Sequence, residues 1–119
     1  MRDDPVIQVT TTVNSEAEAD RMGREAVVRK LAACAQVSGP ITSHYRWKGE
    51  LCRDTEWKVS MKTFGSMVEK LLALLEEMHP YETPELVCTR AESVSRSYIE
   101  WMTRNLDGQP DQAGMDAEE

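Results

Sequence analysis

The sequence predicts an α+β fold in which strands and helices follow one another within a single domain. Period-two alternation marks four strand-like stretches, and apolar stripes at three-and-four spacing mark three helices. Their order is strand, helix, strand, strand, helix, strand and a final helix. Because right-handed crossovers leave few ways to connect such elements, we expect the ferredoxin-like split βαβ arrangement, βαββαβ plus a C-terminal helix.

The first strand and helix are predicted at the start of the chain. Val6–Val13 alternates in polarity and contains threonines, which favour strands. Ser15 and Glu18 fit a capping box, in which the Ser15 hydroxyl accepts an amide and Glu18 reaches back. We expect the helix to run from Glu16 to about Ala33. Its expected apolar stripe is Ala19, Met22, Gly23, Ala26, Val27 and Leu31.

A long β-hairpin is predicted between residues 35 and 62, with a turn at Lys48-Gly49-Glu50. Gly39-Pro40 interrupts its first strand and indicates a bend, a bulge or an edge position, because proline cannot donate to a ladder. At about 3.3 Å per residue, residues 35–47 would span about 43 Å and the first strand only about 26 Å. The hairpin should therefore project past the body. In its first strand, the apolar and aromatic residues share one parity of the alternation, namely Ala35, Val37, Ile41, Tyr45 and Trp47.

A projecting hairpin predicts association between copies. An isolated two-stranded ribbon is marginal in water, and this one would expose Tyr45, Trp47 and Leu51 near its tip. We therefore expect a symmetric oligomer in which each hairpin extends a neighbouring sheet and these three residues anchor the interface. The alternative is that Gly39-Pro40 folds the hairpin back onto its own domain.

The second half of the chain predicts a helix, a short strand and a final helix. Thr63 is expected to cap the second helix and Pro80 to end it. The strand is expected at Glu85–Ala91 and the last helix at about Ser95–Leu106. The expected stripe of the second helix is Phe64, Met67, Val68, Leu71, Leu72, Leu75 and Met78, and that of the last helix is Tyr98, Ile99, Met102 and Leu106.

Charge is distributed unevenly along the 119 residues, whose net charge is −7. Residues 107–119 contain five acids and no bases, so they supply −5 and the rest of the chain only −2. We expect residues 1–106 to form the domain and residues 107–119 to be an acidic disordered tail. Because the body is nearly neutral and shows no basic face, we expect no nucleic-acid partner.

The compartment is predicted from targeting signals and cysteines. The longest apolar run is a few residues, against the ~20 that a bilayer span needs, so we expect no membrane partner. The start, Met1-Arg2-Asp3-Asp4-Pro5, leaves no room for a signal peptide before the first strand. An odd cysteine count without CxxC spacing argues against a disulfide framework and a zinc finger. These features favour a cytoplasmic protein with reduced thiols.

Five motifs together carry a resemblance to a known family. In chain order they are Leu31-Ala32-Ala33-Cys34-Ala35, Tyr45-Arg46-Trp47-Lys48-Gly49, Lys62-Thr63, His79-Pro80-Tyr81-Glu82-Thr83-Pro84-Glu85 and Tyr98-Ile99-Glu100-Trp101. On these motifs, residues 6–106 resemble the divalent-cation tolerance family known as CutA. The resemblance implies a ferredoxin-like fold, a tight homotrimer held by strand pairing between subunits, and a connection to copper and other divalent cations. It implies no reaction, because the family has no settled biochemical activity.

Cys34 and His79 are the candidate metal ligands. The resemblance and the affinity of thiolates for copper(I) favour Cys34, and the titration of histidine near neutral pH favours His79. Each has a structural alternative, Cys34 as buried filler and His79 as a cap that positions the Pro80 turn. Cys88 is expected in the core and Cys52 near the hairpin tip. No ligand spacing assembles a site locally, so any site must be built in space.

A second set of residues predicts a cleft for a small polar or anionic molecule. It comprises Lys62, His79, Tyr81, Glu82, Glu85 and Trp101. A lysine, a phenol, carboxylates and an indole would suit such a ligand where the connector after Pro80 meets a strand end. The alternative is structural, with Glu82 and Glu85 satisfying turn amides and pairing with Lys62.

Three functions are compatible with these features, the third being a stable scaffold that presents surfaces to protein partners and binds no small ligand. The first is a homotrimeric cytoplasmic protein of divalent-cation tolerance that binds copper or a related cation. The second is a signalling trimer that senses a small molecule in the cleft between subunits, by analogy at the level of the fold. We expect no enzyme and no organic cofactor, since the sequence has no glycine-rich phosphate loop, nucleophile elbow or paired-histidine motif.

Overall fold

The computed structural model describes residues 3–107 as one antiparallel sheet with helices. The elements are β1 (Val6–Val13), α1 (Glu16–Val28), β2 (Cys34–Trp47), β3 (Glu50–Phe64), a 3₁₀ turn (Gly65–Met67), α2 (Val68–Met78), β4 (Val87–Arg90) and α3 (Arg96–Leu106). The strand order is β2-β3-β1-β4, and every neighbouring pair is antiparallel. The α+β class and the order of the elements are thus confirmed. The predicted acidic tail lies outside the described residues, apart from Asp107.

The start of α1 follows the predicted cap. The amide of Glu18 donates to the Ser15 hydroxyl at 3.2 Å. The second half of the predicted capping box is wrong, because the Glu18 carboxylate does not reach back and instead accepts a hydrogen bond from Arg21 at 3.1 Å on the exposed side of the helix. Four residues of the predicted stripe are buried, namely Ala19, Met22, Gly23 and Ala26.

The end of α1 comes earlier than predicted. The helix stops at Val28, because Lys30 adopts a φ of +59° and the amide of Leu31 bonds back to the Ala26 carbonyl at 2.9 Å. A positive φ followed by such a bond reverses the chain direction at a helix terminus. Val27 consequently lies at the margin of the buried face and is 38% exposed, so its predicted place in the stripe is wrong.

A bulge in β2 changes which face its side chains occupy. Ser38 lies opposite Lys58 and Ile41 opposite Glu56, so Gly39-Pro40 supplies one residue more than β3 does, at an edge strand. The predicted interruption is confirmed as a bulge. Because side chains alternate between faces, the extra residue reverses the parity of the strand beyond it. The shared parity of the predicted set therefore does not give it a shared face: Ala35 and Val37 face the helices, whereas Ile41, Tyr45 and Trp47 face the other way.

The distal half of the hairpin projects beyond the body, as predicted. β1 pairs with β3 only from Trp57 to Phe64, so the first seven residues of β3, Glu50–Glu56, pair with β2 alone. The molecule measures 49 × 28 × 23 Å. We call residues 41–56 the distal ribbon. It continues outward to the Lys48-Gly49 turn, where both residues have positive φ, and does not fold back onto the domain.

The beginning of α2 differs from the prediction. Thr63 is not a helix cap; it lies in β3, where its hydroxyl donates to the Leu31 carbonyl at 2.7 Å. Phe64 is the last residue of the strand rather than part of α2. The 3₁₀ turn before α2 is held by Asp4, whose carboxylate accepts from the Ser66 amide at 2.9 Å. The predicted end is confirmed, because His79 before Pro80 is extended.

The last strand is shorter and more exposed than predicted. β4 spans Val87–Arg90, lies at the edge of the sheet beside β1, and has all four residues exposed. Cys88 is therefore not a core residue. α3 begins at the Ser95 cap, which accepts from the Tyr98 amide at 3.4 Å, and buries Met102 and Leu106 as predicted.

The core has two parts on opposite faces of the sheet, since Val6 and Phe64 alternate with Val9 and Met61 along the paired strands. The larger lies between the sheet and α1 and α2, and its buried members are Val9, Val13, Ala19, Met22, Ala26, Ala32, Val59, Met61, Leu71 and Leu75. The smaller lies under α3 and comprises Val6, Ala33, Phe64, Met102 and Leu106. Among residues 3–107, no helix has the length and apolar character that crossing a membrane requires.

Candidate functional site

A groove lies between the distal ribbon and the connector that joins α2 to β4. Its volume is about 840 Å³. It is lined by Thr12, Asn14, Ser43, His44, Tyr45, Trp47, Asp54, Glu56, Tyr81, Glu82, Thr83, Pro84 and Glu85. We call it the acidic groove, because four carboxylates line it and, among the residues that the structure describes there, no lysine or arginine does.

His79 fastens the connector to the end of β1. Its Nε2 lies 2.9 Å from the Thr12 carbonyl oxygen, and its Nδ1 accepts the Tyr81 amide at 3.2 Å. The carbonyl can only accept, so Nε2 carries the proton and Nδ1 supplies its lone pair. The imidazole is buried, and both of its nitrogens are already engaged within the chain.

Tyr81 links the connector held by His79 to a carboxylate in the groove. Its hydroxyl donates to Glu56 Oε2 at 2.7 Å, and Glu56 is only 7% exposed. Partial burial, followed by this hydrogen bond, raises the pKa of Tyr81. The phenol therefore stays neutral near pH 7 and serves as the donor to a buried carboxylate.

A second tyrosine–carboxylate pair lies farther out on the ribbon. The Tyr45 hydroxyl donates to Asp54, and this bond raises the pKa of Tyr45 to about 12. Unlike Tyr81, Tyr45 is 41% exposed. Glu85 completes the groove near Thr12, whose hydroxyl lies 3.5 Å from Glu85 Oε1.

A separate cluster lies near α3. Cys34 Sγ is 3.2 Å from the Tyr98 hydroxyl, and burial followed by this contact raises the pKa of Tyr98. The Tyr98 and Trp101 rings lie 5.4 Å apart, and the buried Trp101 Nε1 has no hydrogen-bond partner. Lys62 lies on the neighbouring strand and donates to the Gln36 side chain at 3.2 Å.

The predicted cleft set is therefore divided between two places. His79, Tyr81, Glu82 and Glu85 come together around the acidic groove. Lys62 and Trp101 do not join them within one chain. Lys62 pairs with Gln8 of β1, four residues from the Thr12 that contacts His79, which corresponds to about 13 Å along a strand. The alternative in which Glu82 and Glu85 pair with Lys62 is likewise not what the structure shows.

The predicted metal ligands do not form a site within one chain. Cys34 lies opposite Lys62, at the level of Gln8, and so is separated from His79 by about the same 13 Å along the strands. Ligands of one transition metal lie within about 2.3 Å of the ion, and His79 has no free nitrogen. Over residues 3–107, no three His, Cys, Asp or Glu side chains form a group that could hold a metal ion. The pair Cys34 and His79 therefore does not fit copper in this chain.

Sequence reasoning missed the carboxylates that face His79 and Tyr81. Glu56 and Asp54 occupy polar positions in the alternating sequence of β3, a pattern that is typical of a solvent-exposed face. Nothing in the neighbouring sequence distinguishes them from ordinary exposed acids. Glu56 is buried because Tyr81, 25 residues away, donates to it. The signal that could have located them is the Gly39-Pro40 interruption, since a bulge there places Tyr45 and Trp47 beside these acids.

The predicted interface anchors are all exposed in the single chain. Trp47 is 40% exposed and Leu51 is 74% exposed, on opposite faces of the distal ribbon. The Lys48 ammonium lies 5.9 Å from the Trp47 ring centroid, near enough for a cation–π contact. Their role as anchors stays a prediction.

Comparison with known proteins gives consistent sequence and structural matches. The family model described as CutA1 divalent ion tolerance protein matches residues 7–105. A probable divalent-cation tolerance protein cutA homolog from Encephalitozoon cuniculi is 38% identical over 99 residues, covering 83% of this chain and 86% of that protein. None of these names states a catalytic activity.

Solved structures match over the whole described body. The divalent cation tolerance protein (Cut A1) from Thermus thermophilus superposes with a TM-score of 0.81 at 34% identity, covering 84% of this chain and 97% of that one. A protein from Archaeoglobus fulgidus, described as periplasmic divalent cation tolerance protein CutA, has a TM-score of 0.81 at 26% identity, covering 85% and 98%.

Proposed function

Because this chain belongs to the CutA1 divalent ion tolerance family, we propose that it acts as a cytoplasmic homotrimer of ferredoxin-like subunits that binds copper or a related divalent cation. The observation that carries the trimer is the distal ribbon. Seven consecutive residues of β3 have no partner on the β1 side, and Trp47 and Leu51 are exposed beside them. Open strand edges with exposed apolar side chains favour pairing with another chain.

Sedimentation equilibrium of the full chain tests the assembly. A homotrimer predicts a mass three times that of the 13.5 kDa chain at micromolar concentration. Trp47→Ala with Leu51→Ala should shift the protein toward the monomer, because both anchors lie on the ribbon. Val28→Ala is the matched control, since Val28 is 59% exposed on α1, away from the ribbon. A compact monomer for the wild-type chain would refute the trimer.

Cation binding is supported by family membership and is not supported by a ligand set within one chain. Titration of tag-free protein with Cu(I) and with Cu(II), followed by calorimetry, tests it directly. We expect His79→Gln to leave the stoichiometry unchanged, because both imidazole nitrogens are engaged in the fold. Cys34→Ser tests the thiolate separately. Absence of binding by the wild-type chain to either ion would remove copper from the function.

The size of the acidic groove favours a second candidate, a non-enzymatic trimer that senses a small molecule. Its volume of about 840 Å³ falls within the range of ligand pockets, and Tyr45, Trp47 and Tyr81 offer aromatic surface beside hydrogen-bonding groups. A thermal-shift screen against metabolites and nucleotides tests this function. A ligand selective for the folded protein must raise its melting temperature. A screen in which only metal ions shift the melting temperature would favour the first function.

A further inference from the structure

The distal ribbon carries opposite charges on its two faces. Residues directly opposite one another in paired strands point to the same face. The face toward the acidic groove holds Ile41, Ser43, Tyr45 and Trp47 with Glu50, Cys52, Asp54 and Glu56. The other face holds Thr42, His44 and Arg46 with Leu51, Arg53 and Thr55, and of these only His44 also lines the groove. Within residues 41–56, every carboxylate is thus on the first face and both arginines are on the second.

The bulge produces this separation. If the register between Ser38 and Lys58 continued without an extra residue, Tyr45 would lie opposite Leu51 and Ser43 opposite Arg53. The aromatic residues of β2 would then share a face with Arg53 of β3, and Arg46 would share a face with the acids. The extra residue at Gly39-Pro40 instead places the aromatic residues with the acids.

The connector enlarges the acidic face into a concave surface. Glu82 and Glu85 are exposed and line the same groove as Asp54 and Glu56. The arginines lie on the opposite side of the same ribbon, so they cannot reach this groove within one chain. The two surfaces are complementary in charge, but only between different copies.

We propose that, in the assembled protein, the arginine face of one distal ribbon lies in the acidic groove of the next copy. Arg46 and Arg53 of each chain then meet the carboxylates of Glu82 and Glu85 and the aromatic faces of Tyr45 and Trp47 in its neighbour. Guanidinium groups suit such a surface because they bind carboxylates in bidentate fashion and stack on aromatic rings. Each chain presents two different surfaces, and a head-to-tail contact of this kind closes into a ring.

This inference rests on the homotrimer proposed above and adds the residues that determine its contacts. Reversing one surface should place like charges against one another. We expect Arg46→Glu/Arg53→Glu, and separately Glu82→Lys/Glu85→Lys, to raise the trimer dissociation constant by about 100-fold or more. Arg24→Glu/Lys70→Glu is the matched control for the first variant and Glu69→Lys/Glu76→Lys for the second, because each makes the same charge change on exposed helical positions and should leave assembly unchanged.

The decisive variant combines both reversals in one chain. Its arginine face is acidic, and its groove carries lysines in place of the two exposed glutamates that the arginines would meet, so the contacting positions are again complementary and the trimer should return. An equimolar mixture of the two single-surface variants should not restore it fully, because a ring of three cannot alternate two kinds of chain and retains one like-charged contact. Neutral Arg46→Gln/Arg53→Gln should lessen the salt dependence of dissociation without adding repulsion.

Analytical ultracentrifugation, with circular dichroism as the check of folding, separates the outcomes. A wild-type trimer in which either single-surface variant assembles like the control overturns this inference and leaves the homotrimer standing. A folded double-reversal chain that stays monomeric also overturns it. A wild-type monomer overturns the homotrimer itself, and this inference with it.

Discussion

The two halves of the β2–β3 hairpin share the same strands and the same ladder but differ in what determines their faces. In the proximal half, Val59 and Met61 are fully buried against the helices, so the hydrophobic core determines the register. In the distal ribbon, no helix covers either face, and the side chains are sorted by charge instead. The bulge at Gly39-Pro40 separates the halves. One pair of strands can therefore stabilise a subunit at one end and present a docking surface at the other.

The sharpest test of this contrast compares truncations in the two halves. Met61→Ala should lower the free energy of unfolding by about 2–5 kcal/mol, because it leaves a cavity among fully buried side chains. Leu51→Ala, on the distal ribbon, should change the free energy of unfolding of the subunit by no more than about 0.5 kcal/mol. Urea unfolding at several protein concentrations measures both, because any loss that Leu51→Ala causes through weaker trimer assembly depends on concentration, whereas the subunit contribution does not. Equal losses would show that the ribbon is part of the folding core.

The boundary between the halves can be tested at its glycine. At Gly39 the φ is +150°, and a Cβ there would lie 2.6 Å from Trp57 Cδ1. We expect Gly39→Ala to cost roughly 3 kcal/mol from strain and overpacking. Gly49→Ala has a φ of +82° but open space, so it should cost only about 1–2 kcal/mol. Thermal unfolding ranks the two, and a larger loss at Gly49 would contradict the role given to Trp57.

The two tyrosine–carboxylate pairs compare a buried contact with an exposed one. Tyr81→Phe leaves the buried Glu56 carboxylate without its donor and should cost about 1–3 kcal/mol. Tyr45→Phe removes the same kind of bond from an exposed position and should cost no more than about 0.5 kcal/mol. Chemical denaturation measures both variants. Similar losses would mean that burial of Glu56 contributes little.

The smallest expected effect is on the pH dependence of stability. The pKa of Tyr81 is raised in the folded chain, so its contribution is fully present below the unfolded value of about 10. Above that pH the unfolded phenol ionises while the folded one stays neutral, and stability falls with rising pH. Denaturation midpoints between about pH 9 and 11 should decline less steeply in Tyr81→Phe than in wild type. Parallel declines would exclude Tyr81 as the source.

Much of the body was predictable because its signals are local. The Ser15 cap, the stripe of α3 and the stop at Pro80 depend on residues within a few positions of one another. The start of α2 was not, because Asp4, 62 residues away, holds the turn before it. The Thr63 hydroxyl is of the kind that caps helices, but it donates instead to the Leu31 carbonyl.

The candidate site was predictable only in its connector. The run from His79 to Glu85 forms a motif in the sequence, and the structure places its residues 81–85 on the acidic groove. The partner residues Glu56 and Asp54 are ordinary members of an alternating strand, and their burial or pairing depends on residues brought together by the bulge. Parity alone predicted the wrong common face because one inserted residue reverses it. Lys62 and Trp101 were grouped with the connector by chemical type, and strand register separates them.

The distal ribbon, which begins directly after Pro40, can be exchanged between relatives as one unit. Because the parity of residues 41–56 is reset at a single point, replacing that stretch with the equivalent stretch of a relative should alter partner choice while the helical body keeps its packing. A chimera made at this junction would therefore keep the architecture of the subunit and change which chains it assembles with. Insertions or deletions between the bulge and the tip need to contain an even number of residues in each strand. An odd number would move the acidic and arginine side chains to the opposite faces of the ribbon.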